Sequence, residues 1–177
     1  HKHTSTLEHN VITLMFEVPL FVRSQHMRHR TWSYNEISRR YTDVDMKFYV
    51  PQGFRTQHES NRQASKDELI DPIIDNRLPD FTASRLVKNH HNDSLKLFNR
   101  LLSEGVCREQ ARGVLPQNLY TRYYATVNLN NLLKFIDLRL HEGAQWEIQQ
   151  VAKACLEIAT ELWPYTVGAY REHRGEI

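Results

Sequence analysis

The chain of 177 residues has no long hydrophobic run, since its longest apolar stretch extends only from Val18 to Val22 and contains Pro19. A membrane-spanning helix needs about 20 consecutive apolar residues, and no signal-peptide pattern is visible. The sequence therefore predicts no membrane protein, and we expect a cytoplasmic location. The formal net charge of +2 at pH 7 is too small to favour a nucleic-acid-binding protein.

Glycine and cysteine are also scarce, with 6 and 2 residues. No GxGxxG, P-loop or GxSxG motif occurs, which excludes a phosphate cradle built from a glycine-rich loop. Cys107 and Cys155 fit no CxxC spacing, so we predict a reducing compartment and no disulfide. The histidines near the start match no standard ligand motif, and no metal site is predicted. Any nucleotide bound here must be held by side chains.

Arginine is the abundant cation, with 16 residues against 7 lysines. A guanidinium grips phosphate or carboxylate with two parallel hydrogen bonds, which an ammonium cannot do. The densest cluster lies in residues 28–40, which contain four arginines, one histidine, one glutamate and two serines. This composition suits either a phosphate site or a solvated basic surface, and residue types alone favour neither. Three further arginines, Arg112, Arg122 and Arg139, are dispersed along the second half of the chain.

Hydrophobic periodicity predicts a mixed α/β chain of the α+β class. The predicted strands cover residues 9–18, 46–51 and 118–128. The predicted helices cover residues 19–30, 66–75, 82–104, 107–115, 130–141, 145–162 and 165–173. The rest of 52–80 is predicted to be irregular, and 31–45 is predicted to form an ordered loop. Asn130 or Asn131 is predicted to cap the helix that runs to about His141.

The segment 28–40 reads RHRTWSYNEISRR. This string resembles the RHRxxSxNExSxR signature of flavin-dependent thymidylate synthases, and every fixed position of the signature is present. Three further stretches resemble the same family, namely HTSTLEH at 3–9, VLPQNLYTRYYATVN at 114–128 and LRLHEGAQWEIQ at 138–149. Members of the family usually carry several tens of residues before the point that matches His1. We therefore expect the chain to lack an N-terminal portion of the fold.

The resemblance implies a single domain over residues 1–177 with a thymidylate synthase-complementing-type fold, in which helices pack on a short antiparallel sheet. It implies a homotetramer whose subunits share active sites. The implied reaction is the reductive methylation of deoxyuridine monophosphate (dUMP) to thymidylate. Methylenetetrahydrofolate would donate the carbon unit, and FAD reduced by NADPH would carry the hydride. The resemblance implies neither a nucleic-acid partner nor a membrane partner.

Carried over by position, the resemblance also implies two overlapping sets of ligand-binding residues. The dUMP would be bound by Gln25, Arg28, Glu36, Ser38, Arg39, Arg40, Arg112 and Arg139. The FAD would be bound by His3, Ser5, Arg28, His29, Arg30, Glu36, Asn128, Asn130 and Lys134. Arg139 is the predicted catalytic residue, because a guanidinium beside the uracil ring favours the form that is ionised at N3.

Three positions depart from the family pattern. Asn130 stands where an arginine is common, Lys134 where an asparagine or histidine is common, and Gly143 where a histidine is frequent. These departures keep open the hypothesis of a catalytically impaired homologue. A nucleic-acid-binding module that uses the arginines and the interleaved Trp32 and Tyr34 is the other hypothesis left open.

Overall fold

The computed structural model of the chain describes residues 3–38, 46–74 and 81–174. Its elements are, in chain order, a 3₁₀ helix Ser5–His9, β1 Val11–Pro19, α1 Leu20–His26, β2 Ser33–Glu36, β3 Phe54–Gln57, β4 Ser65–Ile70, α2 Ala83–Ser103, α3 Arg108–Ala111, a 3₁₀ turn Arg112–Val114, β5 Tyr120–Asn128, α4 Leu129–Leu140, α5 Trp146–Leu162 and α6 Pro164–Arg174. The predicted mixed class, with small antiparallel sheets and packed helices, is confirmed. In these described ranges no helix combines the length and apolar character that crossing a membrane requires.

Strand β5 is the middle strand of a three-stranded antiparallel sheet with the order β1-β5-β2. Val11 lies opposite Asn128 and Pro19 lies opposite Tyr120, so β1 pairs along its whole length. Alternate residues of β5, beginning at Thr121, are buried, and those between them are half-buried or exposed. This period of two directs one face of the sheet toward the helices. The sequence-based prediction of a strand at 118–128 is confirmed.

Helices α4 and α5 cover the buried face of that sheet. Leu132, Phe135 and Ile136 of α4 are buried, at the three- and four-residue spacing of a core-facing helix. On α5 the buried residues are Ile148, Ala152, Cys155 and Ala159. Burial raises the pKa of the Cys155 thiol to about 12, and Cys107 is an exposed free thiol. The core therefore fixes the direction of α4, which carries predicted site residues at both of its ends.

The ordered loop predicted for 31–45 is wrong in its first half, because Ser33–Glu36 form β2 and pair with β5. The residues of β2 that point inward are half-buried Tyr34 and Glu36, which are polar. A strand whose inner face is polar has no hydrophobic period, and so the sequence gives no strand signal. Residues 39–45 lie outside the described part of the chain.

Helix α1 ends at His26, although the prediction extended it to Arg30. After His26 the backbone hydrogen bonds change to a three-residue spacing. The Arg28 N–H donates to the Gln25 carbonyl, and the His29 N–H donates to the His26 carbonyl. The RHR sequence therefore lies in a turn that leads from α1 to β2.

The predictions for 46–51 and 66–75 are also wrong. Residues 46–51 make an isolated bridge, between Phe48 and Leu119, in place of a strand. Residues 66–70 belong to β4, which forms a hairpin with β3, so no helix is present between 66 and 74. The sequence of β4, SKDELI, is mostly exposed, and its pairing with β3 rather than a buried face holds it extended.

The remaining helices agree with their predicted ranges, with two corrections of detail. The helix predicted at 82–104 is confirmed as α2, and Gly105 follows it with a φ of 87°. The apolar residues of this segment predict Leu97 on the buried side, but Leu97 is exposed, because the inward stripe consists of His91, Ser94 and Phe98. The cap of α4 is Asn128, rather than either of the two asparagines predicted.

Candidate functional site

A pocket of about 530 Å³ opens between α1, the end of β2 and the 3₁₀ turn Arg112–Val114. Three predicted dUMP-binding residues, Glu36, Ser38 and Arg112, meet in its lining, although Arg112 is distant in sequence from the other two. The other lining residues are Leu20, Arg23, Ile37, Gly113, Leu115, Gln117, Leu119 and Thr121. The pocket thus combines polar and charged groups with apolar walls, which is the usual composition of a small-molecule site.

Both carboxylate oxygens of Glu36 are occupied by neighbouring side chains. Arg23 donates from Nη2 to Oε2, and the Thr121 hydroxyl donates to Oε1 at 2.7 Å. Arg112 is exposed, and its Nε donates to the carbonyl of Glu109 at 3.3 Å. Arg23 and Thr121 were missed by the sequence analysis. No local signal could have found Arg23, since its partner lies 13 residues away on another element.

A second group forms where the RHR turn meets the end of α4. Arg139 donates from Nε to His29 Nε2 at 3.0 Å and from Nη2 to the Gln25 carbonyl at 3.2 Å. Since His29 Nε2 accepts a hydrogen bond, the imidazole is neutral. Burial and the nearby Arg139 charge lower the pKa of His29 to about 4. Burial lowers the pKa of Arg139, although a guanidinium stays protonated in proteins.

An aromatic cluster lies directly under this turn, with the fully buried His26 at its centre. The rings around His26 are those of Phe16, His29, Trp32, Tyr34, Tyr123 and Phe135. His26 Nδ1 and the Tyr123 hydroxyl are hydrogen-bonded at 2.8 Å. The Tyr34 hydroxyl donates to the carbonyl oxygens of His26 at 2.8 Å and His29 at 3.0 Å. The aromatic cluster therefore fixes the backbone from which His29 reaches Arg139.

The buried histidines should make the protein sensitive to acid. Burial, then the charges of His29 and Arg139, lower the pKa of His26 from 6.5 to about 3. Below pH 6.5 His26 is protonated in the unfolded chain, whereas in the folded chain it stays neutral until the pH approaches 3. The free energy of unfolding should therefore fall by roughly 1 kcal/mol per pH unit between about pH 6 and 4. Urea unfolding across this pH range should show the slope, and His26→Phe should reduce it without abolishing it, because the pKa of His29 is also lowered, to about 4. An unchanged slope in His26→Phe would assign the effect to other groups.

The predicted FAD-binding residues separate into two groups along the chain. One group surrounds the 3₁₀ helix Ser5–His9 and the start of α4, where Asn130 is buried and donates to Glu8 Oε1 at 3.0 Å. Its other members are His3, Ser5, Asn128 and Lys134. The other group comprises Arg28, His29 and Arg30 in the RHR turn and Glu36 in the pocket.

The two arginines Arg28 and Arg30 are exposed, and neither side chain makes a hydrogen bond or ion pair with a described residue. Asn130 and Arg139 are nine residues apart on α4, which corresponds to about 14 Å along the helix. Arg139 is not among the residues that line the pocket of Arg112. Arg39 and Arg40 lie outside the described residues. Within one chain, the predicted ligand-binding residues that the structure describes therefore do not meet in a single pocket.

Asn128 has a role in folding that can be separated from its predicted contact with FAD. Its side-chain oxygen accepts the Asn131 N–H at 2.9 Å and caps α4. Asn128→Ala should lower the free energy of unfolding by about 1 kcal/mol, whereas Asn128→Ser should keep the cap and cost only a few tenths. Urea unfolding tests the cap, and FAD titration of Asn128→Ser tests the cofactor contact. Equal stability of the two variants would contradict the capping role.

Comparison with known proteins decides the family. The family model described as thymidylate synthase complementing protein matches residues 1–165. The chain belongs to this family. The family predicted from the RHRxxSxNExSxR string is thereby confirmed.

Curated relatives of the thymidylate synthase complementing family cover nearly all of this chain. A flavin-dependent thymidylate synthase from Thermus thermophilus is 42% identical over 173 residues, which are 98% of this chain and 61% of the relative. One from Thermosipho melanesiensis is 39% identical over 179 residues, covering 100% of this chain and 76% of the relative. This chain thus spans less than two thirds of the length of the Thermus protein.

Solved structures of the same family superpose closely. A structure of the UMP/dUMP methylase PolB from Streptomyces cacaoi bound with 5-Br UMP has a TM-score of 0.83 and 32% identity, over 97% of this chain and 77% of that one. The structure of PolB with 5-Br dUMP has a TM-score of 0.79 and 31% identity, over 97% of this chain and 74% of that one. The fold described above is therefore the fold of a characterised nucleotide-binding member of the thymidylate synthase complementing family.

Both parts of the candidate site suit an anionic ligand in chemical type, because each presents an arginine side chain. The pocket presents Arg23, Arg112 and Glu36, and the end of α4 presents Arg139 held by a neutral imidazole. Among the described residues, no group of three or more histidine, cysteine, aspartate or glutamate side chains could hold a metal ion. The positive charge in both parts of the candidate site comes from arginine side chains.

Proposed function

We propose that the assembled protein methylates C5 of dUMP to give thymidylate, with methylenetetrahydrofolate as the carbon donor and with an FAD that NADPH reduces. The observation that carries this proposal is the pocket in which Glu36, Ser38 and Arg112 meet. The relatives named flavin-dependent thymidylate synthase support it. So does the similarity to PolB, a UMP/dUMP methylase. The two free cysteines agree with a cytoplasmic site of action.

In this proposal the pocket binds the phosphate end of dUMP. Arg112 supplies a guanidinium and Ser38 a hydroxyl, and both groups suit phosphate oxygens. Arg39, Arg40, Gln25 and Arg28 complete the proposed nucleotide contacts, and Glu36 is retained as a proposed contact of both ligands.

Arg139 has the catalytic role in the proposal. Methylation at C5 requires an electron-rich uracil ring, which forms when N3 loses its proton. A permanently charged guanidinium beside N3 and O2 stabilises that anionic ring. The two bonds from Arg139 to His29 and Gln25 hold the guanidinium in one orientation before the substrate arrives. Such preorganised charge lowers the barrier without any rearrangement during the reaction.

The residues present fit FAD in chemical type. A dinucleotide carries a pyrophosphate, and the exposed, uncommitted guanidiniums of Arg28 and Arg30 suit it. The first group, around the 3₁₀ helix, adds the Ser5 hydroxyl, the His3 imidazole, two asparagine amides and the exposed Lys134. When bound, FAD supplies the electrons that reduce the transferred carbon to a methyl group. The proposed binding set for FAD remains His3, Ser5, Arg28, His29, Arg30, Glu36, Asn128, Asn130 and Lys134.

A homotetramer with shared active sites is part of the proposal, as is a single domain over 1–177. Because Arg139 does not line the pocket of Arg112, a second chain is needed to bring such groups around one ligand. The outer face of the sheet offers a surface for that chain, since Val11, Met15 and Tyr124 are 61%, 55% and 55% exposed. Exposed apolar groups on one sheet face are typical of protein interfaces. Native mass spectrometry tests the tetramer.

The function is tested by assaying the purified protein after FAD is added. We expect a yellow protein that forms thymidylate from dUMP only when methylenetetrahydrofolate and NADPH are both present. UMP is assayed in parallel, because PolB is a methylase of both nucleotides. A colourless protein that takes up no FAD and binds no dUMP would refute the proposal. Binding of both ligands without turnover would favour an impaired homologue, and salt-sensitive binding of RNA or DNA would favour a nucleic-acid-binding module.

A further inference from the structure

Arg23 is the one pocket residue whose charge the proposed ligand contacts leave unexplained. It lies on α1 and lines the same pocket as Arg112. One of its Nη atoms donates to Glu36, and its Nε is buried without a hydrogen bond to any residue that the structure describes. A guanidinium has five N–H groups in a planar fork. The bond to Glu36 therefore leaves donors of Arg23 unused.

Glu36 is held in place by two protein partners. Arg23 holds one carboxylate oxygen and the Thr121 hydroxyl holds the other. Each carboxylate oxygen can still accept a further hydrogen bond, so these two contacts fix the position of Glu36 without closing it to a ligand. Glu36 therefore orients Arg23, whose side chain remains 31% exposed and keeps Nη N–H groups for a ligand.

The charges of the pocket agree with an anionic ligand. Among the residues that the structure describes, the charged lining residues are Arg23, Arg112 and Glu36, which sum to a formal charge of +1. A nucleoside monophosphate carries close to two negative charges on its phosphate at neutral pH. Without Arg23 the described part of the lining would be neutral overall, with the carboxylate of Glu36 beside the phosphate.

Building on the proposed function, we propose that Arg23 and Arg112 form a two-arginine clamp for the phosphate of the nucleotide, and that Glu36 positions Arg23 within it. Two guanidinium forks can engage separate edges of one phosphate with parallel hydrogen bonds. Arg23 is then a binding residue that the RHRxxSxNExSxR string does not contain. The apolar side chains of Leu20, Leu115 and Leu119 line the same pocket beside these donors.

The test compares Arg23→Gln with a matched control in the FAD-loaded protein. The control is Arg122→Gln, since Arg122 also pairs with a glutamate, Glu17, at 2.7 Å but is exposed and does not line the pocket. Calorimetry measures Kd for dUMP, for deoxyuridine, which lacks the phosphate, and for inorganic phosphate. We expect Arg23→Gln to raise Kd for dUMP and for phosphate by about 10- to 100-fold. Kd for deoxyuridine should change less than about 2-fold, and Arg122→Gln should behave as wild type.

Three results would overturn the clamp. The first is binding of dUMP by Arg23→Gln as tight as that by Arg122→Gln. The second is an equal loss of dUMP and deoxyuridine binding, which would give Arg23 a purely structural role. Arg23→Lys provides the third test if the glutamine variant fails to fold. It keeps the charge but loses the fork, so we expect Kd for dUMP to rise about 5- to 10-fold, and wild-type affinity would refute the clamp.

If the proposed function is wrong, the binding measurements would give a different pattern of Kd values. Wild-type protein would then bind inorganic phosphate but neither dUMP nor deoxyuridine. In that case the phosphate titration alone decides the clamp, since weaker phosphate binding in Arg23→Gln than in Arg122→Gln supports it and equal binding refutes it.

Discussion

Replacing Arg139 with alanine should lower the turnover of dUMP by about 1,000-fold, while the affinity for FAD stays close to that of wild type. Removing one preorganised donor at a site of developing negative charge has an effect of this size in other enzymes. Among the residues that the structure describes, Arg139 is the only hydrogen-bond donor to His29 Nε2, and the variant lacks that donor. The aromatic cluster still holds the turn, because Tyr34 binds its backbone independently.

The measurement is turnover per bound flavin, with flavin content read from absorbance. Arg139→Lys keeps a charge but loses the bidentate geometry, and we expect it to recover only a small part of the rate. Arg100→Ala is the matched control, since Arg100 is exposed in the last turn of α2. Loss of FAD from Arg139→Ala, with residual turnover in proportion to occupancy, would place Arg139 at the cofactor instead.

Replacing Phe135 with alanine should lower the free energy of unfolding by about 3–5 kcal/mol. Phe135 is fully buried, and its ring lies 4.9 Å from those of both His26 and His29 and 5.4 Å from that of Trp32. The substitution leaves a cavity in the centre of the aromatic cluster. Since the cavity lies under His29, turnover should fall as well, because Arg139 loses its oriented acceptor.

Urea unfolding measures the stability of this variant, with Leu138→Ala as the control on the same helix. Leu138 is 59% exposed, so its truncation should change the free energy of unfolding by less than about 0.5 kcal/mol. If Phe135→Ala cost no more than Leu138→Ala, the cluster would not be a tightly packed unit. Normal turnover in a destabilised Phe135→Ala variant would show that the packing of the aromatic cluster does not affect the function of Arg139.

The parts of the fold that the sequence predicted are those with an apolar period. Helix α5 repeats buried residues from Ile148 to Ala159 at helical spacing, and β5 alternates along its length. Strand β2 was missed because its inner side chains satisfy polar groups rather than fill the core. Tyr34 binds two backbone carbonyls, and Glu36 binds Arg23. A search for alternating apolar and polar residues therefore does not detect such a strand.

The residues of the candidate site that the sequence pointed to are those that match the family by position, and most of them lie in one recognisable string. The string placed Glu36 and Ser38 in a ligand site, and the structure brings both to the pocket with Arg112. Arg23 and His26 lie just before the string and carried no signal. Their roles depend on partners from β2 and β5, such as Glu36 and Tyr123, which only the folded chain brings near.

The central position of β5 has a consequence for how the chain tolerates changes in length. Both neighbours of β5 take their register from it, with Val11 opposite Asn128 and Ser33 opposite Thr126. One residue inserted within β5 would turn the following side chains to the opposite face and disturb both pairings at once. The turn between β3 and β4, at residues 58–64, bears no such constraint. We expect insertions and deletions among homologous proteins to accumulate there and to be excluded from β5.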